Sequence, residues 1–114
     1  MNLLPVHVVD GGLKTAETAI PIDPAALDRL RDGENLTVGI RPEFIDVSTE
    51  AGPESLPAEI QRIEDLGNFK IATAKVGDEL VKAKIPEDQP ISLGSGWLRF
   101  PLEHTRLYQN EQVV

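Results

Sequence analysis

A mainly β fold with one short helix is what the sequence predicts, and three observations lead to it. Short runs of strand-forming residues recur along most of the 114 residues. Nine glycines and nine prolines are scattered between these runs as turns instead of forming a linker. Helix signals are confined to the segment that follows Asp23. This pattern favours a small β-barrel or sandwich, with an oligomer-binding barrel as the leading topology.

The strands are predicted from runs of β-branched and apolar residues and from their alternation. Alternation is clearest where Val81, Ala83 and Ile85 alternate with lysines, which predicts one buried face and one exposed face. Asp10-Gly11-Gly12 is a strong turn signal that ends the first strand, and Gly77–Asp78 is predicted to be a hairpin turn. The predicted strands are residues 6–9, 18–22 (at an edge, because of Pro21), 36–40, 44–47, 57–63, 68–76, 80–85 and 97–100.

One short helix is predicted between the second and third strands. Asp23 suits the N-cap, Pro24 is tolerated in the first turn, and Gly33 is expected to end the helix. Leu27 and Leu30 form a short apolar stripe, so the helix is expected to pack against a sheet.

Composition argues against several classes of function. The net charge of -8 disfavours both sequence-independent nucleic-acid binding and docking on an anionic membrane surface. The sequence has no cysteine, which excludes disulfides, thiolate zinc sites and cysteine nucleophiles. No apolar run approaches the roughly 20 residues that span a bilayer. A chain this short is also expected to lack a deep cofactor cavity.

Few residues are arranged for chemistry, and no catalytic, cofactor-binding or metal-binding residue is predicted. His7 and His104 have no second ligand at metal-binding spacing. Gly94–Gly96 contains a lone G-x-G that no helix follows, so we interpret it as a turn between strands rather than a phosphate loop. Glu64–Asp65, followed by Gly67, is interpreted as a solvated turn rather than an acid–base pair.

The segment Arg41-Pro42-Glu43 interrupts two strand-like runs. Because Pro42 fixes its own backbone and disfavours a helical Arg41, the segment is predicted to be a corner that ends one strand without starting a helix. The guanidinium of Arg41 is expected to pair with Glu43 or with the acidic turn Glu64–Asp65. Direct contact with a partner protein is the alternative role.

Several stretches in order carry a family resemblance: "MNLLP" at the start, "GIRPEFIDV" at 39–47, "AEIQRIEDLGNFKIATAKVGDELVKAKIP" at 58–86 and "LGSGWLRFPLEHTRLYQ" at 93–109. Together they resemble the C-terminal regulatory domain of the ATP-binding subunits of ATP-binding cassette (ABC) importers, in the sugar and glycerol-3-phosphate (maltose-type) subgroup. The most specific elements are G-x-R-P-E at 39–43 and E-x-L-G at 64–67. The chain departs from the family at Leu107-Tyr108-Gln109, where Leu-Phe-Asp is usual.

The resemblance implies a barrel of the transport-associated, molybdate-binding-like (TOBE) type. Residues 1–114 are then expected to form one regulatory and dimerisation domain, with the nucleotide-binding domain absent from this chain. ATP and Mg²⁺ would belong to the parent subunit, a transport ATPase, and this chain would not be an enzyme. The candidate structural or partner-contact residues are Arg41, Pro42, Glu43, Glu64, Asp65 and Gly67.

The resemblance also implies the partners and the location. The expected partners are a second copy of the domain, the parent ATPase domain, the permease subunits and a cytosolic regulatory protein, with no nucleic acid. The expected location is cytoplasmic, peripheral at the inner membrane as part of the transporter.

Two other hypotheses for the function stay open from the sequence alone. One is a stand-alone barrel that binds an oxyanion such as molybdate, or a sugar phosphate. Molybdate-binding relatives use Ser, Lys and backbone N–H groups, but no Ser-Ala-Arg-Asn-type sequence surrounds Asn2 and the chain is acidic. The other hypothesis is a small enzyme.

Overall fold

The computed structural model describes residues 1–30, 35–110 and 112–114. Within these ranges the chain forms eleven strands, one α-helix and two single-turn 3-10 helices. The predicted mainly β fold with one short helix is confirmed. The strands are β1 (Asn2–Val9), β2 (Gly12–Thr15), β3 (Thr18–Ile20), β4 (Leu36–Ile40), β5 (Asp46–Ser48), β6 (Ser55–Asp65), β7 (Phe69–Val76), β8 (Glu79–Pro86), β9 (Gly94–Arg99), β10 (Arg106–Gln109) and β11 (Gln112–Val113). The helix α1 is Pro24–Asp28, and the 3-10 helices are Pro42–Phe44 and Leu102–His104.

The strands form two antiparallel sheets around one apolar core. The first sheet has the order β11-β10-β4-β1-β2-β3, and the second has the order β5-β9-β6-β7-β8. The two edge strands of the second sheet, β5 and β8, come close to each other without pairing, so this sheet curls into a small open barrel. Both sheets contribute to the core, whose largest fully buried side chains include Leu4, Ile40, Leu56, Ile85, Leu98 and Phe100.

The predicted turn after Val9 and the predicted hairpin at Gly77–Asp78 are both confirmed. Asp10 and Gly11 have φ of 49° and 77°, which is the signature of a type I′ turn between β1 and β2. Gly77 has φ of 58° at the first position of the two-residue turn between β7 and β8. A Cβ at Gly77 would lie 2.9 Å from the backbone oxygen of Thr15 and 3.2 Å from Cβ of Ala16. Glycine is therefore required here both for its backbone angle and for the space it leaves.

The helix starts as predicted but is shorter than expected. Oδ1 of Asp23 accepts a hydrogen bond of 2.9 Å from the amide of Ala25, and Pro24 occupies the first turn. The helix ends at Asp28, and the predicted end at Gly33 lies outside the described residues. Leu27 and Leu30 pack against the core, as their spacing indicates.

Several strand boundaries differ from the predictions. β1 begins at Asn2 rather than Val6, because residues 2–6 pair with β4; Pro5 is tolerated because β1 pairs with β2 only over residues 7–9. β2, β10 and β11 were not predicted. The interpretation of Gly94–Gly96 as a turn is wrong, since these residues pair with Ile60, Glu59 and Ala58 as the start of β9.

Candidate functional site

The chain crosses between the two sheets twice, and each crossing contains a proline and a 3-10 helix. The first crossing joins β4 to β5 through Pro42–Phe44, and the second joins β9 to β10 through Leu102–His104, which Pro101 precedes. β4 pairs with β10 and β5 pairs with β9, so both ends of the two crossings are held together by strand pairing. The two crossings therefore run side by side.

An aromatic stack joins the two crossings. The rings of Phe44 and His104 lie parallel, with an interplanar angle of 4° and centroids 3.7 Å apart. The amide of Phe44 donates to the carbonyl of Arg41 at 3.1 Å, and the amide of His104 donates to the carbonyl of Pro101 at 3.0 Å. The buried hydroxyl of Thr105 donates to the same Pro101 carbonyl at 2.8 Å. These bonds close both turns and hold the rings in register.

Arg41 is extended, as predicted, but it does not form the predicted ion pair. Its φ and ψ are -78° and 145°, and the residue is exposed. No described carboxylate lies within ion-pair distance of it: Glu64 pairs with Arg62 at 3.4 Å, and Asp65 accepts the amide of Gly67 at 2.9 Å. An exposed arginine gains little free energy from pairing with one surface carboxylate. This small gain explains why Arg41 stays without an ion pair here.

Pro42 starts a helix, which corrects the prediction that it would not. The carbonyl of Pro42 accepts the amide of Ile45 at 3.3 Å and closes a single 3-10 turn. Proline is favoured at the first position of such a turn because its fixed φ suits a helical start. Glu43 lies exposed in the middle of this turn, and Phe44 belongs to it rather than to β5.

The prediction of a turn at Glu64–Asp65 is wrong: both residues end β6, where they pair with Ile71 and Lys70 of β7. The turn between the two strands lies just after them, at residues 66–68, and contains Gly67. Gly67 has φ of 92°, and the amide of Leu66 donates to the carbonyl of Phe69 at 2.9 Å. Within the described part of the chain, no hydrogen bond or ion pair joins this turn to the Arg41 corner. Of the six candidate residues, the structure thus groups Arg41, Pro42 and Glu43 at one corner and Glu64, Asp65 and Gly67 at another.

Arg99 forms the ion pairs that the sequence did not reveal. Its Nη1 lies 3.4 Å from Oδ2 of Asp46, and its Nη2 lies 3.1 Å from Oε2 of Glu54. Arg99 stands opposite Asp46 on β5 and opposite Ser55 on β6, so the guanidinium bridges the two neighbours of β9. The available sequence signal was its place between the buried Leu98 and Phe100, which puts Arg99 on the outer face.

The outer face of the first sheet carries an apolar cluster around Gly39. A Cβ at Gly39 would lie 2.8 Å from Cε2 of Tyr108, 2.9 Å from Sδ of Met1 and 3.3 Å from Cδ2 of Leu3. Strand pairing also places Val113 opposite Tyr108. Met1, Leu3 and Val113 are 60%, 59% and 62% exposed. We call this surface, made of Met1, Leu3, Gly39, Tyr108 and Val113, the Gly39 face. Beside it the exposed Arg106 pairs with Gly39 in the sheet, and its Nη1 donates to the carbonyl of Glu103.

The side chain of Asn2 joins the two sheets. Its Nδ2 donates to the carbonyl of Lys82 at 2.7 Å, and its Oδ1 accepts the amide of Lys82 at 2.9 Å. The amide group therefore pairs with the free edge of β8 as a neighbouring strand would. This bond pair fixes the N-terminal end of β1 against the barrel.

The described part of the barrel surface has depressions between its strands. A groove of about 400 Å³ lies where β3, β6, β7 and β9 meet and is lined in part by Glu59, Lys75 and Trp97. A smaller pocket of about 80 Å³ lies beside β5 and is lined in part by Ile60 and Ile91. Among the described residues, no group of three His, Asp or Glu side chains is placed to hold a metal ion. His7 lies exposed in β1.

Across the described ranges, no helix has both the length and the apolar character that crossing a membrane requires.

Two family models match the chain. One, described as TOBE domain, matches residues 38–107, and the other, described as MalK OB fold domain, matches residues 1–45. The first match covers both crossings, the barrel and the turn between β6 and β7. The second covers β1 to β4 and the Arg41 corner.

Several curated proteins are similar over much of the chain. The sn-glycerol-3-phosphate import ATP-binding protein UgpC 2 of Agrobacterium fabrum is 36% identical over 111 residues, covering 95% of this chain and 29% of that protein. The corresponding UgpC of Pectobacterium atrosepticum is 33% identical over 115 residues, covering 97% and 31%. The diacetylchitobiose uptake system ATP-binding protein MsiK of Streptomyces coelicolor is 30% identical over 96 residues, covering 69% and 25%. The chain thus spans between a quarter and a third of the length of these relatives.

Proposed function

Since the chain belongs to the TOBE domain family, we propose that it is the C-terminal regulatory and dimerisation domain of the ATP-binding subunit of an importer. The match over residues 38–107 is the observation that carries this proposal. The solute class we propose is a sugar or a glycerol-3-phosphate-like compound, because the similar proteins are named for import of sn-glycerol-3-phosphate and diacetylchitobiose.

We assign no catalytic step to this chain. Binding of ATP and Mg²⁺ belongs, in this proposal, to the rest of the parent subunit, since the relatives named as ATP-binding proteins are three to four times longer than the matched region. The proposed partners are that ATPase domain, the permease subunits, a second copy of the domain and a cytosolic regulatory protein. The proposed location is the cytoplasmic side of the inner membrane.

The Gly39 face supports the self-association part of the proposal. A chain of net charge -8 repels its own copy, so two copies approach most favourably through a surface that carries little charge. The Gly39 face consists of Met1, Leu3, Gly39, Tyr108 and Val113, and Met and Tyr are enriched in protein interfaces. Arg106, which stands opposite Gly39 on β10, is a charged side chain beside this patch. A two-fold contact uses the same patch on both copies, and a mainly apolar patch is compatible with itself.

Sedimentation equilibrium of the purified chain, from about 10 μM to about 1 mM, tests self-association. We expect a concentration-dependent dimer that Leu3→Lys weakens by at least about tenfold. Leu93→Lys is the matched control, because Leu93 is 64% exposed and the substitution changes the net charge by the same amount. A chain that stays monomeric throughout, or an equal effect of both variants, would contradict the role of the Gly39 face.

A second experiment tests the regulatory role in the whole subunit. We expect the intact ATP-binding subunit to hydrolyse ATP, and the isolated chain to show no hydrolysis. Replacing Phe44 by Ala in the intact subunit disturbs the two crossings but not an ATP site. This variant should still bind ATP, but its rate of ATP hydrolysis or its assembly into the transporter should change. ATP hydrolysis by the isolated chain would refute the proposal that catalysis belongs only to the rest of the parent subunit.

A further inference from the structure

The outer face of β6, β7 and β8 gathers positive charge on an acidic chain. Pairing places Arg62 opposite Thr73 and Thr73 opposite Lys82, and it places Ile71 opposite Lys84. Lys75 lies on the same face, since it alternates with the buried Ala74 and Val76. We call the surface made of Arg62, Lys75, Lys82, Lys84, Phe69, Ile71 and Leu80 the basic face.

Charge on this face has the opposite sign to the rest of the molecule. Arg62, Lys75, Lys82 and Lys84 are four of the eleven basic residues in the sequence. Two carboxylates share the face, because Glu59 and Glu64 pair with Lys75 and Ile71 respectively. The face therefore has a charge of +2, and a chain of net charge -8 must carry -10 elsewhere.

The described lysines of the basic face form no ion pairs within the chain. Arg62 lies 3.4 Å from Glu64, but none of Lys75, Lys82 and Lys84 has an ion-pair partner in the described part of the chain. All three lysines are exposed. Their ammonium groups are therefore free to meet the carboxylates of another molecule.

Apolar surface lies between these charges. Leu80 is 61% exposed, and Phe69 and Ile71 are half-buried. Nζ of Lys84 lies 4.4 Å from the centre of the Phe69 ring, so this lysine spreads over an aromatic face and leaves the ring edge accessible. Aromatic residues such as Phe69 and arginines such as Arg62 are enriched in protein interfaces. The lysines contribute through charge complementarity, which steers a partner and sets its orientation.

We propose that the basic face docks an acidic surface of a second protein, with carboxylates opposite Lys82 and Lys84 and apolar side chains against Phe69, Ile71 and Leu80. Charge complementarity selects this occupant. A second copy in two-fold contact would bring this positive face against itself. Nucleic acid and anionic membranes extend beyond the face, so the charge of -10 on the remaining surface opposes their phosphates.

This inference is independent of the proposed dimerisation, because the basic face lies on the barrel and the Gly39 face lies on the other sheet. It also does not require that the chain belong to an importer. Its test can therefore fail while the dimerisation proposal holds, and the reverse is equally true.

Fluorescence anisotropy with a labelled peptide of alternating Glu and Leu tests the proposal. We expect binding that the double variant Lys82→Gln with Lys84→Gln weakens by at least about tenfold. The matched control is Lys14→Gln with Arg29→Gln, which removes the same charge from β2 and the region after α1 and should change affinity by less than about twofold. Unchanged melting temperatures verify that both variants are folded.

Two further probes separate the occupants. Leu80→Ala should weaken peptide binding at high salt, because apolar contact persists when charges are screened. Oligothymidine and phosphatidylserine vesicles should bind more weakly than the peptide. Tighter binding of either anionic probe, absence of peptide binding at about 1 mM, or equal losses in the two double variants would overturn the proposal.

Discussion

Phe44 and His104 stack in parallel, with ring centroids 3.7 Å apart, at the place where the chain crosses twice between its two sheets. Each ring belongs to a 3-10 helix that a proline precedes or begins. The stack therefore couples two connections that are distant in the sequence. The interaction free energy between the two rings can be measured separately from the free energy that burial of each ring contributes.

A double-mutant cycle with Phe44→Leu and His104→Gln measures this coupling. We expect a coupling free energy of about 0.5–1.5 kcal/mol, the range for aromatic pairs beyond their buried area. Urea unfolding of the wild type, both single variants and the double variant gives the four free energies. Additive single effects would mean that the rings are neighbours without interacting.

Replacing Arg99 by Met should lower the free energy of unfolding by no more than about 1 kcal/mol, since exposed ion pairs contribute little. The Arg99 side chain is 43% exposed and loses two carboxylate partners, whereas Arg62 is 70% exposed and loses one. The loss for Arg99→Met should therefore exceed that for Arg62→Met, and high salt should narrow the difference. A larger effect of Arg62→Met would contradict this ranking.

Gly77→Ala should destabilise the chain more than Gly11→Ala does. Both residues have positive φ, so each substitution costs about 1 kcal/mol in backbone conformation. At Gly77 the new methyl group also meets the Thr15 carbonyl oxygen at 2.9 Å, whereas nothing lies within 4 Å at Gly11. Thermal unfolding of the two variants tests the ranking, and equal melting temperatures would show that the turn relaxes freely.

Asn2→Ala removes both hydrogen bonds between β1 and the edge of β8. We expect a loss of about 1–3 kcal/mol, because each bond contributes about 0.5–1.5 kcal/mol. Amide hydrogen exchange should accelerate at Lys82, whose N–H loses its acceptor. Asn2→Asp keeps that acceptor and loses the donor to the Lys82 carbonyl, so slow exchange at Lys82 should persist in this variant. Fast exchange there in both variants would argue that Asn2 does not fix the edge.

Local signals in the sequence predicted the elements that depend on neighbouring residues. The sequence predicts the alternation around Val81, the turn glycines at 11 and 77 and the cap at Asp23 correctly. Each of these has its physical cause within a few residues. The Gly94–Gly96 strand was missed because glycine is normally a turn signal, and only pairing with β6 makes this segment extended.

Side-chain partners across the fold were predicted less well. Arg99 and Asp46 are 53 positions apart, and no local pattern distinguishes this pair from the expected pairing of Arg41. Gly39 was recognised as part of a motif, but its physical reason required the rings and thioether that converge over it. The partner-contact role of the six candidate residues stays a prediction.

The order of strand pairing has a consequence for synthesis of the chain. β9 lies between β5 and β6, and β10 pairs with β4, so the last fifth of the described chain supplies strands to both sheets. A nascent chain that ends before β9 leaves β5 without its neighbour and the core open. Folding is therefore expected to finish only after the C-terminal strands leave the ribosome, and non-local pairing of this kind folds slowly.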